Sequence, residues 1–348
     1  MNAQHAISTY YILGYSTTQS VRDGHFRRVR VKLNNNASAK LDYRQGYFAD
    51  KEFSKFTATD RERQLEDALM LPDPITELTI AMEVDYFQLN RAEYFVPLTV
   101  KIPGRELALA KRGGAEHTLI DFIGEIKDAS GITITNVRDK VNIKLTQQTA
   151  AELVKRPIEY ESGFTLLPGK YTLKFLARDD ETGRIGTFQT TFRVPNLNKE
   201  QRQVPISSVI LSSKRIARAD ALYNVSKKVA TENASPLVQD GQKLIPSVTR
   251  VFSKARPVWV YLQAYEQTRQ QSQQLLAFVT LYNGGSKVFE TPATAASHVA
   301  NEELRTVPLN LQLSLADVPP GRYDCQLTVL NPSVQRATFW RTSIALVP

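Results

Sequence analysis

The chain carries the stretch Leu167-Pro168-Gly169-Lys170-Tyr171-Thr172-Leu173-Lys174-Phe175, and a closely similar stretch follows 152 residues later. The second copy reads Pro319-Pro320-Gly321-Arg322-Tyr323-Asp324-Cys325-Gln326-Leu327. The same offset aligns three further pairs of aromatic or apolar residues: Phe188 with Trp340, Phe192 with Ile344, and Val194 with Leu346. The repeat predicts two copies of one β-domain, each of which closes with a hairpin.

Apolar and polar side chains alternate within each copy. Tyr171, Leu173 and Phe175 share one face of the first copy, Lys174 lies on the other face, and Leu176 breaks the alternation. A period of two residues with one apolar face is typical of a half-buried strand in an antiparallel sheet. Each copy therefore predicts a strand, a polar turn and a return strand, with the return strands at 187–194 and 338–347.

A Pro-Gly pair precedes each of these strands. Proline presets φ for the first central position of a turn, and glycine accepts positive φ at the second. The sequence therefore predicts a type II turn at Pro168-Gly169 and another at Pro320-Gly321, with each glycine in the left-handed region.

Composition sets the limits on domain count and class. The chain has 348 residues, of which 42% are hydrophobic, so two or three globular domains with buried cores are expected. No run of about 18 apolar residues occurs, which excludes a membrane-spanning segment. The first residues have neither the basic nor the apolar region of a signal peptide.

The charge balance is basic, with a net charge of +9 and a pI near 9.4. Such a balance favours anionic partners, but the cations are scattered along strand faces, so we do not expect a nucleic-acid partner. Cys325 is the one cysteine, so no internal disulfide can form. It stands where the first copy has Leu173, which predicts a buried apolar residue and not a reactive thiol.

The strand and turn pattern predicts a mainly β protein with two immunoglobulin- or fibronectin-like β-sandwich domains in tandem. A linker helix is expected to open at the capping box Thr59-Asp60-Arg61-Glu62 and to end at Met70. The predicted organisation is strands at 1–50, a helical linker at 51–74, a first sandwich at 75–195, a connector at 196–243 and a second sandwich at 244–348.

The candidate chemical groups do not form a catalytic pattern. His5, His25, His117 and His298 lack metal-ligand spacing with one another or with cysteine. Glu159 and Glu161 share one strand face, which could mimic a glycosidase carboxylate pair, but we interpret them as side chains on a solvated face. Asp179-Asp180-Glu181 could coordinate calcium, and we interpret it as a hydrated hairpin turn. Three aromatic residues are candidates to anchor a protein or glycan partner: Tyr47, Tyr86 and Tyr265.

Several segments, in order along the chain, resemble the von Willebrand factor A-related proteins of the acidobacterial type. Three resemble the end of the A-type domain: Tyr10-Tyr11-Ile12-Leu13-Gly14-Tyr15, Asp23-Gly24-His25-Phe26-Arg27-Arg28-Val29 and Tyr43-Arg44-Gln45-Gly46-Tyr47-Phe48. Three more resemble the region downstream of it, at residues 60–65, 163–171 and 181–188.

The resemblance implies that residues 1–50 are the last strands of an A-type α/β domain whose metal-binding first part would lie upstream of Met1. No Asp-x-Ser-x-Ser motif occurs in the sequence, so no metal ligand is carried over, and no catalytic, cofactor-binding or metal residue is predicted. The resemblance also implies a secreted or cell-envelope location.

Together these observations predict a non-enzymatic accessory β-region that contacts another protein or acts in adhesion. A carbohydrate-binding or carbohydrate-processing module is the alternative. Residues 1–50, which lack a visible partner sheet, could also pair with a strand of another chain.

Overall fold

A computed structural model describes residues 14, 16–18, 21, 26–34, 41, 46–49, 51–112, 115–155, 157–217, 235–239, 241–265, 274–297, 299, 301 and 303–348. His5, His25 and His298 lie outside these residues, as does most of segment 10–15 within the strands predicted at 1–50. The chain divides into two compact units, Met1–Gln64 and Leu65–Pro348.

Strands dominate the described residues, so the prediction of a mainly β protein is confirmed. The two helices of the described part are α1 (Ala58–Met70) and α2 (Gln147–Leu153). The strands are β1 (Phe26–Arg28), β2 (Gly46–Phe48), β3 (Ala81–Val84), β4 (Phe87–Gln88), β5 (Tyr94–Pro103), β6 (Ala110–Arg112), β7 (Ala115–Asp128), β8 (Thr133–Leu145), β9 (Pro157–Leu166), β10 (Gly169–Asp179), β11 (Ile185–Val194), β12 (Ile210–Ser212), β13 (Arg215–Ala217), β14 (Val238–Gln239), β15 (Gln242–Leu244), β16 (Val251–Ser253), β17 (Val258–Tyr265), β18 (Leu275–Asn283), β19 (Ser286–Glu290), β20 (Thr294–Ala296), β21 (Thr306–Leu313), β22 (Gly321–Asn331) and β23 (Arg336–Val347).

In the first unit, β1 and β2 pair antiparallel with Phe26 opposite Phe48. The helix start differs from its prediction. The backbone N–H of Asp60 donates to the Thr57 hydroxyl (3.2 Å), and the Thr57 N–H donates to the Asp60 carboxylate (2.9 Å). The capping box therefore runs from Thr57 to Asp60 and not from Thr59 to Glu62. Asp60 takes the place that a glutamate usually has in this motif, because its carboxylate accepts from the Thr57 N–H.

The second unit contains two pairs of sheets. The first pair consists of sheet A (β11-β10-β7, with β6 and β8 also on β7) and sheet B (β5, with β9 along one side and β3 and β4 along the other). The second pair consists of sheet C (β12-β17-β21) and sheet D (β16-β23-β22-β18, with β19 and β20 on β18). A small sheet, β13-β15-β14, lies between the two pairs in sequence.

Each sheet pair encloses its own apolar core. Sheets A and B meet through buried residues that include Phe122, Tyr160 and Phe175, whose ring centroids lie 4.0–6.1 Å apart. Sheets C and D meet through a separate cluster that includes Cys325, which is 1% exposed. Burial raises the pKa of the Cys325 thiol to about 12, as expected for the buried apolar residue that the repeat predicts.

Leu176, the exception to the strand alternation, is explained by helix α1. Leu176 lies on the outer face of sheet A, where it packs with Ile123 and Ile185 against Leu65 and Ala68. The apolar side of α1 therefore covers this part of the sheet, and burying Leu176 there is favourable because its surface is removed from water.

The two hairpins of the repeat have the same register. Tyr171 lies opposite Phe192 and Tyr323 opposite Ile344. Phe175 lies opposite Phe188, as Leu327 does opposite Trp340. The 152-residue repeat in the sequence is therefore also a repeat of strand pairing.

The Pro-Gly pairs do not form the predicted type II turns. Neither Gly169 nor Gly321 has a positive φ, and each is the first residue of a strand. A Cβ on Gly169 would lie 3.1 Å from the Tyr171 ring. Tyr171 folds back over this glycine so that its hydroxyl donates to the Leu167 carbonyl (2.8 Å), and Tyr323 donates to the Pro319 carbonyl in the same way (2.7 Å). The glycine leaves room for the tyrosine.

Candidate interaction site

The outer edge of β11 is the most distinctive surface feature of the first sheet pair. β11 ends sheet A, and a short preceding segment covers only the beginning of its edge. The Thr187 N–H donates to the Ile75 carbonyl (2.8 Å), and the Leu78 N–H donates to the Ile185 carbonyl (3.1 Å). Residues 75–78 therefore pair with the edge of β11 as far as Thr187.

Beyond Thr187 the edge is open. Because the backbone groups alternate along a strand, those of Gln189, Thr191 and Arg193 face the same side as those of Thr187. In the described part of the chain, no hydrogen bond from another segment reaches this stretch of the edge. Pro195 follows β11 and has no N–H to donate, so the open stretch ends there.

The repeated strand β23 differs from β11 at this point. β16 runs parallel to β23 and places Val251 opposite Ala345, and the Ala345 N–H donates to the Arg250 carbonyl (3.0 Å). Ala345 is the equivalent of Arg193 in the repeat. In the second copy β16 therefore covers Ala345–Val347, the equivalents of residues 193–195, and stops short of Ser343 and Arg341, the equivalents of Thr191 and Gln189.

Two grooves border the open edge and share Phe188, Thr190 and Thr191. The first has a volume of about 790 Å³ and is bounded by residues 72–80, including Pro72, Leu78 and Ile80. The second has a volume of about 390 Å³ and is lined by apolar residues of β3, by Phe192 and by Trp340 of the second sheet pair. The grooves lie where side chains of an added strand would project.

Three ion pairs join the outer face of sheet B to the second half of the unit. Glu161 and Lys243 are both buried and lie 2.5 Å apart. Glu159 binds Lys214 at 2.8 Å. These contacts correct the interpretation of Glu159 and Glu161 as residues of a solvated face. The two glutamates do share a face, but Lys214 and the small sheet cover it.

The third ion pair lines the second groove. Glu83 and Arg250 lie 3.1 Å apart. Burial raises the pKa of Glu83, and the Arg250 charge opposes that shift. Arg250 has a φ of +51°, an uncommon conformation for a residue with a side chain, and its guanidinium also binds the Thr342 hydroxyl. Arg250 is thus held from two sides at the groove.

Asp85 is the fourth acid of this face and has no cation of its own at ion-pair distance in the described residues. It is 5% exposed, and its Oδ2 atom has no hydrogen-bond partner there. Burial raises the pKa of Asp85 well above its ordinary value, and the Glu83 and Glu161 charges raise it further. The Ser208 hydroxyl and the Arg250 charge oppose that shift. Asp85 is therefore a buried acid whose charged form this environment disfavours.

An apolar cluster completes the contact between the sheet pairs. Phe87 and Phe95 of sheet B pack with Ile210 and Tyr261 of sheet C and with neighbouring residues of the small sheet. The Tyr265 hydroxyl accepts from the Gln88 N–H (2.8 Å) across the same contact. The two sheet pairs are therefore joined by apolar packing, hydrogen bonds and ion pairs together.

The aromatic anchor candidates are not all at the surface. Tyr265 is 4% exposed and its hydroxyl is satisfied by Gln88 and Gln263, so its assignment as an exposed anchor is wrong. Tyr86 and Tyr47 are half-buried. The aromatic residues that line the grooves are instead Phe188, Phe192 and Trp340.

The acidic hairpin turn is also different from its interpretation. Asp179 is 0% exposed and accepts from the Thr182 hydroxyl (2.7 Å) and the Ala108 N–H (3.1 Å). Asp180 binds Lys140 (2.9 Å) and Arg178 (3.2 Å). These carboxylates are buried and bound by protein groups, so they are neither hydrated nor arranged around a calcium position.

Other chemical groups remain dispersed. The Nδ1 atom of His117 lies 3.1 Å from the Asn142 amide oxygen. Within the described ranges, no group of three or more His, Cys, Asp and Glu side chains could hold a metal ion. None of the helices in that part of the chain is long and apolar enough to cross a membrane.

Comparisons with known proteins give no family. No family model matches the chain, and no curated protein matches it. Two solved structures with partial similarity are a Bacteroides uniformis beta-glucuronidase 2 (8% identity, TM-score 0.22) and an Escherichia coli alpha-2-macroglobulin activated by porcine elastase (12% identity, TM-score 0.20). The first match covers 33% of this chain and 13% of that one, and the second covers 78% and 22%. Similarity at this level carries no argument about fold or function.

The open edge could not be found from the sequence. The strand at 187–194 is predicted, but its edge position depends on pairing with residues 75–78, more than a hundred positions earlier. Glu83, Asp85 and Arg250 are likewise brought together by distant segments. The one local signal is Pro195, because proline is tolerated beside edge strands and not in central ones.

Proposed function

We propose that this chain is a non-enzymatic protein-binding module that takes an extended segment of a partner protein onto the open edge of β11. The observation that carries the proposal is the unpaired backbone at Gln189, Thr191 and Arg193, bordered by two grooves. In strand addition, backbone hydrogen bonds supply affinity and pockets for alternate side chains supply specificity. The β11 edge offers both.

The repeat supports the same proposal. An exposed strand edge is a template for pairing with other chains, and proteins usually cover it or protect it. β16 covers the edge of β23 at Ala345–Val347, the equivalents of residues 193–195, and residues 75–78 cover the start of the β11 edge. The two copies therefore differ at Arg193, whose edge is open, and at its equivalent Ala345, whose edge is covered.

We also propose that each sheet pair is an immunoglobulin- or fibronectin-like sandwich, the first at 75–195 and the second at 244–348 with β12 added from the connector. The support is the tyrosine at the start of β10 and β22. In immunoglobulin domains such a tyrosine lies two residues before a core cysteine and binds the backbone a few residues upstream. Tyr323 and Cys325 have this spacing, and the Tyr323 hydroxyl binds the Pro319 carbonyl.

The wider context is proposed on the sequence resemblance alone. We propose that the chain is the accessory β-region of a von Willebrand factor A-related exported protein and that residues 1–50 include the last strands of its A-type domain. Pairing of those strands with another chain remains part of this proposal. The coding sequence upstream of Met1 tests it, since a signal peptide followed by an Asp-x-Ser-x-Ser motif is expected there.

The binding proposal is tested with a proline that removes one edge donor. In Thr191→Pro the lost N–H faces outward and is not part of the pairing with β10, so the sheet should persist. Ser343→Pro places the same change at the equivalent position of β23, away from both grooves, and is the matched control. Peptides selected from a displayed random library on the full chain should lose binding to Thr191→Pro and keep binding to Ser343→Pro.

Two outcomes would contradict this function. One is a library that yields no peptide bound by the full chain. The other is a set of peptides that binds Thr191→Pro as well as the unchanged protein, with circular dichroism and the thermal midpoint showing that both variants are folded.

Carbohydrate binding is the second candidate, favoured by the second groove. The partly buried indole of Trp340 lies there with Glu83 and Arg250, and sugar sites in general combine an apolar platform with a few convergent polar groups. Glycan-array binding that Trp340→Ala abolishes, together with a peptide library that yields no binder sensitive to Thr191→Pro, would favour this candidate over strand addition.

A further inference from the structure

The outer face of sheet A is positively charged beside the open edge. Arg193 on β11 lies directly opposite Lys170 on β10, and both are exposed. Like charges directly opposite each other on a sheet face repel. In the part of the chain that the structure describes, neither cation has a carboxylate within ion-pair distance. This pair of cations is therefore uncompensated within the described chain.

A third cation lies on β10, four residues along from Lys170. Lys174 is opposite Gln189, and its ammonium group binds the Leu71 carbonyl, at the segment that borders the first groove. Glu125 lies next to Lys174 on β7, but Lys127 already binds it at 3.0 Å. Burial and the Lys127 charge lower the pKa of Lys174. Asp73 is the acid among the residues that line the first groove.

The inner side of the same edge is apolar. Phe188 and Phe192 face the seam between sheets A and B, where residues 78–84 of the other sheet supply Leu78, Ile80, Met82 and Val84. Because side chains alternate across a strand, an added strand would place neighbouring residues alternately on this apolar seam and on the cationic outer face.

We infer, on the basis of the proposed function, that the segment bound at β11 has the pattern acidic–apolar–any–apolar–acidic. Its central residue lies opposite Thr191. The two flanking residues lie opposite Thr190 and Phe192 and face the seam. The two acidic residues lie opposite Gln189 and Arg193, where they meet the ammonium of Lys174 at one end and the cations of Arg193 and Lys170 at the other.

The charges argue against a second copy of this chain as the occupant. Antiparallel pairing of β11 with itself would centre on Thr191 and place Arg193 opposite Gln189 of the other copy. It would also bring two sets of the same cations, Lys170, Lys174 and Arg193, to one sheet face. A partner segment with acids at these two positions removes the repulsion and a second copy adds to it.

The test uses two synthetic peptides and the full chain. The first is acetyl-Gly-Glu-Val-Thr-Val-Glu-Gly-amide with a fluorophore, and the second replaces both glutamates with lysine. By fluorescence anisotropy at low salt, the glutamate peptide should bind about tenfold or more tightly than the lysine peptide. Raising the salt from about 0.05 M to about 0.5 M should reduce that difference, because exposed charges are screened.

Variants separate the charge pattern from strand addition. Thr191→Pro should abolish binding of the glutamate peptide, and Ser343→Pro should not change it. The double change Lys170→Glu with Arg193→Glu should weaken the glutamate peptide about tenfold and strengthen the lysine peptide. All variants are checked for an unchanged circular dichroism spectrum.

The outcomes distinguish this inference from the proposed function. If library peptides bind in a Thr191→Pro-sensitive way but the glutamate and lysine peptides bind equally, the acidic pattern is wrong and strand addition stands. If no peptide binding depends on Thr191→Pro, both are wrong. A dimer in sedimentation velocity that Thr191→Pro dissociates would make a second copy the occupant and overturn the inference.

Discussion

Removing the cation from the buried ion pair between sheet B and the small sheet should destabilise the protein strongly. The side chains of Lys243 and Glu161 are 4% and 9% exposed, and their charged atoms lie 2.5 Å apart. Lys243→Met keeps a side chain of similar length and leaves the Glu161 carboxylate in the same buried position. The protein must then either bury an unpaired charge or protonate it.

The size of the effect follows from the burial of both partners. Breaking a buried pair by removing one member typically costs about 3–5 kcal/mol, because the remaining charge is uncompensated. Burial raises the pKa of Glu161 even with Lys243 present, and the nearby Glu159 charge adds to the shift. Desolvation of Glu161 therefore outweighs the attraction of Lys243, and we expect Lys243→Met to lower the free energy of unfolding by about 3–5 kcal/mol.

The double variant should behave differently. Replacing both members, Lys243→Met with Glu161→Leu, removes both desolvation costs and keeps an apolar filling. Such replacements are often neutral or stabilising by about 1–4 kcal/mol. The double variant should therefore be at least as stable as the unchanged protein, although each single change is harmful.

The pH dependence has a definite sign. A carboxyl group whose pKa is higher in the folded than in the unfolded state loses stabilisation as the pH rises between the two values. Without Lys243 the folded-state pKa of Glu161 rises further. The destabilisation by Lys243→Met should therefore be larger at pH 8 than at pH 5, where Glu161 is more readily protonated.

Urea unfolding, followed by the fluorescence of Trp259 and Trp340 and by circular dichroism, measures these differences. Lys287→Met is the control, because its partner Glu290 is at the surface and their pair at 3.1 Å is exposed, so little change is expected. A loss for Lys243→Met no larger than that for Lys287→Met, or a double variant as unstable as the single one, would refute the reasoning.

Three further predictions concern other parts of the chain. Asp85→Asn should be more stable than the unchanged protein at pH 8, and this advantage should shrink toward pH 4. The reason is that burial raises the pKa of Asp85, so its ionisation opposes folding as the pH rises. Urea unfolding across this pH range measures the difference in stability, and a difference that does not change with pH would contradict the prediction. Tyr171→Phe and Tyr323→Phe should each lower the free energy of unfolding by about 0.5–1.5 kcal/mol, since each removes one hydrogen bond to a carbonyl. Unequal losses in urea unfolding would show that the two tyrosine hydrogen bonds are not equivalent. Thr57→Ala should destabilise the start of α1 by about 1 kcal/mol, and hydrogen exchange at the first helical amides should increase, whereas protection equal to that of the unchanged protein would argue against the cap.

The repeat predicts the two hairpins from the sequence, because strand pairing within a hairpin depends on residues close together in the chain. The structure adds their common register, with Phe188 opposite Phe175 and Trp340 opposite Leu327. The type II turns predicted at the two Pro-Gly pairs do not form. Position 169 favours glycine because the Tyr171 ring lies over it, and turn preferences do not predict where a side chain folds.

The charged groups show where local patterns stop being informative. Glu159 and Glu161 were correctly placed on one face, because alternation along a strand is local. Their environment was predicted wrongly, because Lys214 and Lys243 come from segments more than fifty residues away. Leu176 was the one local sign of a covered outer face, since an apolar residue at a polar position indicates that another element packs there.

The open edge and the contact between the sheet pairs are physically connected through Arg250. Its guanidinium binds Glu83 across the contact and lines the second groove, and its carbonyl binds the edge of β23. A segment bound at β11 would lie against the same wall. A peptide that binds only when the two sheet pairs are in contact stabilises that contact. The stabilisation increases with the ratio of peptide concentration to dissociation constant. Loosening the contact through Lys243→Met should therefore weaken peptide binding, although Lys243 is not among the residues that line either groove. Equal peptide affinity in that variant would show that the first sheet pair binds alone.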